Sequence, residues 1–188
     1  MSKIEVNTID TIAGSTTLTL GSTNATLITL DSGAQFSNVS GQNYPAFEAY
    51  LSANIVVTNN VVAKIPINTE VFDTNGYYDN TTNYRFTPLV AGKYMVYASA
   101  YGFADLANNL ESVRIYIHKN GSIYRGTYFS NTTNGSYSKT PYVHAMIDMN
   151  GSTDYLELFG LVDSSSGTPA VDGGSFARTY FGAYRIGS

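Results

Sequence analysis

The chain has 188 residues, of which 13% are charged, and its formal net charge at pH 7 is −4. Ordinary soluble proteins contain about 25% charged residues, so Thr, Ser, Asn and Gly must supply much of the polar surface. The ten lysines and arginines are scattered singly, which argues against nucleic-acid binding because phosphate backbones are bound by clustered basic groups. The absence of cysteine excludes disulfides, thiol catalysis and cysteine–zinc sites.

The N-terminal sequence MSKIEV contains no apolar segment of the kind that a signal peptide requires. No apolar run in the chain approaches the roughly 18 residues that indicate a membrane helix. We therefore expect synthesis in a cytoplasm, no export through a signal peptide and no membrane insertion.

Residues 1–43 differ in composition from the rest of the chain. They contain almost no aromatic or basic residues, and LTLGS at residues 18–22 is echoed ten residues later by ITLDS at residues 28–32. Each unit reads as a short alternating strand followed by a turn residue. A flexible Ser/Thr/Gly linker is one interpretation. The alternating Leu and Ile favour a short extended or β-rich stalk in which three chains wind together, because single repeats cannot bury their apolar side alone.

Residues 71–100 carry the densest turn signals, with Asn75-Gly76 and Ala91-Gly92 separating short apolar runs. From residue 94 two uncharged sets alternate: Tyr94, Val96, Ala98 and Ala100 on one side, and Met95, Tyr97, Ser99 and Tyr101 on the other. A strand with one wet face would show polar side chains there. We therefore predict a strand that is covered on both sides, by a second sheet and by another subunit.

The rest of the chain reads as further strands. Apolar residues alternate over 113–118 and 142–149, residues 155–162 read as a buried strand, and residues 176–186 read as the last strand. Asn120-Gly121 and Asn150-Gly151 are predicted turns, and residues 131–138 and 163–174 are predicted loops. No segment shows helical periodicity. An all-β sandwich of about eight strands in two sheets is predicted.

An ordered set of short motifs runs through the second part of the chain. Its members are Pro45-Ala46-Phe47, Phe72, Gly76, Tyr78-Asp79, Phe86, Pro88, Gly92-Lys93-Tyr94, Val96, Lys119-Asn120-Gly121 and Phe181-Gly182-Ala183-Tyr184-Arg185-Ile186. This set resembles the globular head of complement C1q, which is grouped with tumour necrosis factor (TNF) among the trimeric jelly rolls. The resemblance implies a C1q/TNF-like jelly-roll head over residues 44–188, preceded by the stalk at residues 1–43. It also implies a homotrimer in which one sheet of each protomer packs around the threefold axis.

Two features depart from that pattern. Thr87 stands where the family often has a cysteine, and no collagen-like Gly-X-Y tract precedes the head. Both departures argue against a secreted protein of the complement type.

The aromatic content favours self-association. Sixteen tyrosines and nine phenylalanines are present, and several lie opposite the clearly apolar strand faces. A monomer rarely exposes so large an apolar patch, and tyrosine suits subunit interfaces because its ring is buried while its hydroxyl stays hydrated. The alternative is tyrosine-rich strands that face solvent. The residues predicted at the trimer interface are Tyr97, Tyr101, Tyr116, Tyr142 and Phe159.

Catalysis has little support in the sequence. No nucleophile elbow, zinc-binding H-E-x-x-H motif or P-loop is present. His118 and His144 lie on separate predicted strands and are interpreted as packed or interfacial residues. No catalytic residue, metal ligand or cofactor is predicted. Loop calcium through Asp105, Asp163 or Asp172 stays open, although no D-x-D-x-D spacing supports it.

The segment SKIEVNTI at residues 2–9 resembles the starts of small structural proteins of tailed phages of the cyanophage type. Together with the head, it predicts a non-enzymatic trimeric knob on a virion surface that contacts phage capsid or tail proteins. The favoured placement is a capsid decoration or cement protein, whose predicted anchoring residues are Lys3, Ile4, Val6 and Ile9. The alternative is a receptor-binding tail-fibre tip that adheres to a host cell-surface glycan or protein. A third hypothesis is a soluble C1q-like ligand-binding protein.

The loops are predicted to make the outward contacts, because loops on a rigid scaffold usually carry recognition. The residues predicted to make them are Asp105, Asn109, Asn131, Asn134, Tyr137 and Asp172.

Overall fold

The structure, a computed structural model, describes residues 44–131, 135–174 and 176–187. The stalk, its repeat and the anchoring residues Lys3, Ile4, Val6 and Ile9 lie outside the described residues, as does Asn134. All regular secondary structure in the described part is β-strand, which confirms the all-β prediction. No helix with the length and hydropathy of a membrane span occurs in that part.

Fifteen strands make up the described part of the chain. In chain order they are β1 (Ala46–Tyr50), β2 (Ile55–Val56), β3 (Ala63–Lys64), β4 (Thr69–Asp73), β5 (Tyr78–Asp79), β6 (Arg85–Phe86), β7 (Gly92–Ser99), β8 (Gly102–Ala104), β9 (Leu110–Lys119), β10 (Ser122–Ser130), β11 (Ser138–Lys139), β12 (Tyr142–Met149), β13 (Leu156–Ser164), β14 (Pro169–Val171) and β15 (Tyr180–Gly187). Eight have five or more residues, which agrees with the predicted number. The others are two or three residues long.

The strands form three antiparallel sheets. The front sheet has the order β12-β7-β15-β1-β4, and the back sheet has the order β10-β9-β13-β6-β5, with β3 also paired to β13. A smaller end sheet has the order β11-β8-β14-β2. Many neighbours are distant in sequence, such as β1 beside β15. The chain therefore crosses repeatedly between the front and back layers, as the predicted jelly roll requires.

The core lies between the front and back sheets and is built around an aromatic cluster. The ring of Phe47 stacks on Tyr78 at a centroid distance of 4.4 Å and on Phe86 at 4.5 Å, and meets Phe181 edge-on at 5.2 Å. The Tyr78 hydroxyl donates to the backbone oxygen of Ile67 at 2.8 Å, and burial raises the pKa of Tyr78 well above its usual range. These contacts satisfy the one polar atom of the cluster.

The predicted alternation is confirmed on β7 and β12. On β7 the side chains of Tyr94, Val96 and Ala98 are completely buried, and β12 alternates exposed and buried residues along its whole length. Asn120 and Gly121 have φ values of 53° and 78° in the turn between β9 and β10, as an Asn-Gly hairpin requires.

The last strand differs from the prediction, which placed its start at residue 176. It begins only at Tyr180, because Gly174 and Ala177 adopt positive φ values of 123° and 45°. Residues 176–179 therefore form a turn rather than a strand.

Candidate functional site

The outward side of the front sheet carries a broad aromatic surface. The strand register aligns Met146 with Met95 and Tyr184, and in the next row His144 with Tyr97 and Gly182. We call this surface the front face, and it comprises Ala46, Glu48, Tyr50, Met95, Tyr97, Tyr142, His144, Met146, Tyr180, Gly182 and Tyr184.

Glu48 is the one acidic or basic residue that the front face comprises, and its carboxylate accepts a hydrogen bond from Tyr97. The Tyr97 hydroxyl donates to Oε2 of Glu48 at 2.8 Å. Burial and the neighbouring carboxylate raise the pKa of Tyr97 well above its usual range. Gly182 leaves room for this ring, because a Cβ at residue 182 would lie 2.4 Å from its nearest atom. Further charges lie at the margin, where Lys93 and Asp148 pair at 3.5 Å.

The front face is open in the single chain. Met146 is 64% exposed, and Tyr142 and Tyr184 are also exposed. A shallow concavity of about 480 Å³ is lined by Met95, Tyr97, Tyr142, His144 and Tyr184. Contiguous apolar surfaces of this kind are typical of interaction sites rather than of solvent-facing strands.

A second exposed apolar surface lies beside the front face, along β10. This strand forms the edge of the back sheet and is exposed over almost its whole length. The Tyr124 hydroxyl donates to the backbone oxygen of Met146 at 3.2 Å, which joins this edge to β12 of the front sheet. We call the surface the side edge, and its large exposed side chains are Ile123, Tyr124, Tyr128 and Phe129.

The five aromatic residues predicted at the trimer interface lie in three places. Tyr97 and Tyr142 lie together on the front face. Tyr116 and Phe159 are paired neighbours on β9 and β13 of the back sheet, and Tyr101 lies beside the end sheet. The structure therefore brings two of the five together, and their interface role stays a prediction.

Sequence reasoning missed Met146 and Tyr184 of the front face and the apolar residues of the side edge. Met146 carried a usable signal, because it alternates with the buried residues of β12 in phase with Tyr142 and His144. The sequence signal for the side edge was weaker, because a β-bulge between Ile123 and Arg125 interrupts the alternation of side chains along β10.

The two histidines lie on opposite sheets, so they form no joint site. His144 is on the front face, whereas His118 is 7% exposed on β9 and stacks on Phe159 at a centroid distance of 4.0 Å. Within the described residues the His118 ring nitrogens make no hydrogen bond of good geometry, although the backbone of Gly121 lies near enough to favour the protonated ring. Burial lowers the pKa of His118, and the nearby carboxylate of Glu157 opposes that shift. Glu157 is itself paired with Lys64.

The loops predicted to face outward are tied to one another at one end of the sandwich. Asp105 accepts the Thr168 N–H at 2.7 Å, and this hydrogen bond lowers the pKa of Asp105. The Ser165 N–H donates to the Asn109 oxygen at 2.9 Å, and the Asn131 amide donates to the backbone of β9. The predicted loop residues that the structure describes thus share one region, although their outward contacts stay a prediction.

The same end of the molecule contains a small pocket beside the end sheet. The Arg178 guanidinium donates to both carboxylate oxygens of Asp172, at 3.0 and 3.1 Å, and lies 4.1 Å from the Tyr101 ring centroid. We call it the end pocket, with a volume of about 150 Å³ and a lining of Asn54, Tyr101, Phe103, Tyr137, Asp172 and Arg178.

Acidic residues do not gather around a candidate metal position. Within the described ranges, no group of three or more His, Cys, Asp or Glu side chains could hold a metal ion. Asp105 and Asp172 are engaged with Thr168 and Arg178. The described residues therefore contain no carboxylate cluster that would support the open possibility of loop calcium.

Two solved structures share this arrangement of sheets. The globular domain of zebrafish complement 1qA matches with a TM-score of 0.52 and 14% sequence identity, over 77% of this chain and 98% of that one. The fold is a C1q/TNF-like jelly roll. Murine APRIL, in a crystal structure at pH 5.0, matches with a TM-score of 0.56 and 9% identity, over 77% of this chain and 100% of that one.

At these identities the likeness establishes the fold alone. It confirms the predicted C1q/TNF-like architecture. No model of a known protein family matches the sequence, and no curated protein sequence does.

Proposed function

We propose that the C1q/TNF-like head is a non-enzymatic assembly and recognition module that acts as a homotrimer. The observation that carries the proposal is the front face, which is aromatic across four strands and whose single charge, on Glu48, is met by Tyr97. Covering such a face is favourable by about 25 cal/mol for each Å² of apolar surface buried. A neighbouring copy of the chain is the proposed cover.

A closed ring needs two different surfaces on each protomer, because its contacts run head to tail. The front face is the first of these surfaces, and the side edge is the second. The side edge is rich in exposed apolar side chains, with Tyr128 at 69% exposure, and it adjoins the front face through Tyr124. Cationic side chains also lie over its rings, Arg114 at 6.0 Å from the centroid of Tyr128 and Lys139 at 4.2 Å from that of Phe129. Threefold closure is the arrangement expected from the resemblance to the C1q and TNF heads.

The absence of enzymatic activity is proposed from side-chain placement. His118 is buried on the back sheet and His144 lies on the front face, so neither completes a catalytic pair with the other. The C1q/TNF-like fold supports a role in binding rather than in catalysis.

The C1q-like ligand-binding hypothesis has the broadest support. The fold similarity covers most of the chain, and the loops at one end are fixed by hydrogen bonds such as that between Asp105 and Thr168. Recognition is commonly carried by loops that a rigid scaffold holds in place. A homotrimer would present three copies of them, so modest affinity per protomer becomes strong attachment.

A virion setting is the more specific proposal and is supported by sequence alone. The phage-like start, the repeat in residues 1–43 and the low charge content favour a capsid decoration protein, with a tail-fibre tip as the alternative. Immunogold labelling of virions distinguishes these placements. Gold over the shell supports decoration, gold at the tail supports the fibre, and unlabelled particles overturn both.

Sedimentation equilibrium of the full chain tests the trimer. The expected mass is three times the chain mass of 20.3 kDa, in a single species over a wide concentration range. A monomer at the highest concentration would overturn the proposal, and a mass of two chains would replace the ring with a twofold contact.

A further inference from the structure

The end pocket lies on one side of the end sheet and is fixed by the backbone. Tyr101 directly precedes β8, Phe103 lies within that strand, and their ring centroids are 6.3 Å apart. The Asp172 N–H donates to the Tyr101 oxygen at 2.8 Å, and the Tyr101 N–H donates to Thr179 Oγ1 at 3.1 Å. Phe103 is the lining residue that lies in a strand, and the connections that supply the others are tied to the end sheet by backbone hydrogen bonds such as these.

Three aromatic rings form its apolar wall. The Phe103 ring centroid is 6.3 Å from that of Tyr101 and 6.0 Å from that of Tyr137. The ring planes of Phe103 and Tyr137 differ by 28°. Tyr137 is half exposed, so part of the wall faces solvent. A ring that is partly open to solvent, as that of Tyr137 is, offers an apolar face to the C–H surface of a sugar ring, which is the apolar side of an otherwise polar molecule.

Planar polar groups lie beside the rings. The ion pair with Asp172 uses two of the five N–H donors of Arg178 and orients its guanidinium. The Asn54 side-chain oxygen accepts the Gly173 N–H at 2.9 Å, which orients the amide and its NH₂ group. Hydrogen-bond donors of Arg178 and Asn54 therefore lie close to the acceptor oxygens of Asp172. Adjacent sugar hydroxyls need both kinds of partner, since each hydroxyl both donates and accepts.

The charges favour an uncharged ligand. Arg178 and Asp172 neutralise each other, so an anion would face the Asp172 carboxylate. A cation would be repelled by the guanidinium that already covers the Tyr101 ring. The volume of about 150 Å³ is below the roughly 300–1,000 Å³ of pockets for larger molecules. A single ring is the largest unit that this space accommodates.

We infer that the end pocket binds one uncharged hexose unit of a glycan, with its C–H face against Tyr137 and Phe103 and its hydroxyls on Arg178, Asp172 and Asn54. This inference deepens the recognition role in the proposed function. The pocket lies within one protomer, so sugar binding and trimer formation are tested separately. A homotrimer would carry three pockets and bind a multivalent glycan more strongly than a monomer.

Saturation-transfer NMR on the full chain is the test. The probes are methyl α-mannoside, methyl β-galactoside and methyl β-glucoside, with methyl sialoside and choline as charged probes. Saturation is expected to reach the ring C–H protons of at least one neutral glycoside and to exceed that on both charged probes. No transfer to any neutral glycoside would overturn the inference, as would stronger binding of the sialoside or of choline.

Variants locate the binding. Tyr137→Ala is expected to weaken the bound glycoside about tenfold, because it removes one stacking ring. Arg178→Lys, which keeps the charge but loses the planar fork, is expected to weaken it as well. Tyr44→Ala is the control, since Tyr44 is 55% exposed against 50% for Tyr137 and lies outside the pocket. Unchanged binding in Tyr137→Ala, with the sedimentation of the original chain retained, would overturn the site.

Discussion

At the scale of single residues, His118 connects packing to pH. It is buried against Phe159, and the groups that face it are Glu157, which favours its protonation, and Lys64, which opposes it. Burial holds the pKa of folded His118 below the unfolded value of about 6.5. Above about pH 6.5 the His118 ring is neutral in both the folded and the unfolded protein, so it makes no pH-dependent contribution to the free energy of unfolding. As pH falls from there to the folded pKa, the unfolded state binds the proton and stability is lost.

We predict that His118→Phe removes this loss of stability on acidification. The measurement is urea unfolding at a fixed protein concentration, from neutral pH to about pH 5. The original chain should lose free energy of unfolding across that range, and the variant should lose less. Identical slopes in His118→Phe and the original chain would contradict the assignment.

The sequence predicted His118 as a packed or interfacial residue, and its burial against Phe159 agrees with the first of these two interpretations. Its partner could not be predicted. Phe159 comes from β13, 41 positions further along the chain, and the two meet only because β9 pairs with β13 in a particular register. A local pattern records the side of a strand on which a residue lies, but not the strand that lies beside it.

At the scale of strands, Gly182 determines how β15 packs beside β7. A Cβ at this position would lie 2.4 Å from the Tyr97 ring, whereas a Cβ at Gly187, in the same strand, would have no atom within 4 Å. We predict that Gly182→Ala lowers the free energy of unfolding by about 1–3 kcal/mol, because the Tyr97 ring must leave its place beside Glu48. Urea unfolding measures the loss.

Gly187→Ala is the matched control for that experiment. It should change stability by no more than about 0.5 kcal/mol, since the added methyl group enters open space. Equal effects of the two substitutions would show that the space above Gly182 is not needed by Tyr97.

Strand periodicity could be predicted well where one side of a sheet is buried. The buried sets of β7 and β12 were evident because an apolar residue recurs at every second position. The sequence could not predict that Tyr116 and Phe159 lie on a different sheet from Tyr97, because both sheets carry aromatic residues on their outer sides. The start of β15 was misplaced because the positive φ of Ala177 leaves no signal in the sequence.

At the scale of the whole molecule, the ordered motifs predicted the fold, although each is short. They mark turns and core aromatics such as Phe47 and Phe86, and the spacing between them follows the topology. The end pocket was only partly foreseen. Tyr137 and Asp172 were predicted as outward loop residues, whereas Phe103 joins them through the pairing of β8 with β14 and Arg178 through its ion pair with Asp172. The sequence records neither contact.

The central claim is that another copy of the chain covers the front face and that the side edge provides the second contact. The most direct measurement is sedimentation velocity of Met146→Glu, on the front face, and Tyr128→Glu, on the side edge. Leu89→Glu is the control, because Leu89 is 58% exposed and lies outside both surfaces. Burying an unpaired carboxylate is costly, so we predict that the first two variants sediment as monomers and Leu89→Glu as a trimer. A Met146→Glu variant that remains trimeric would contradict the account.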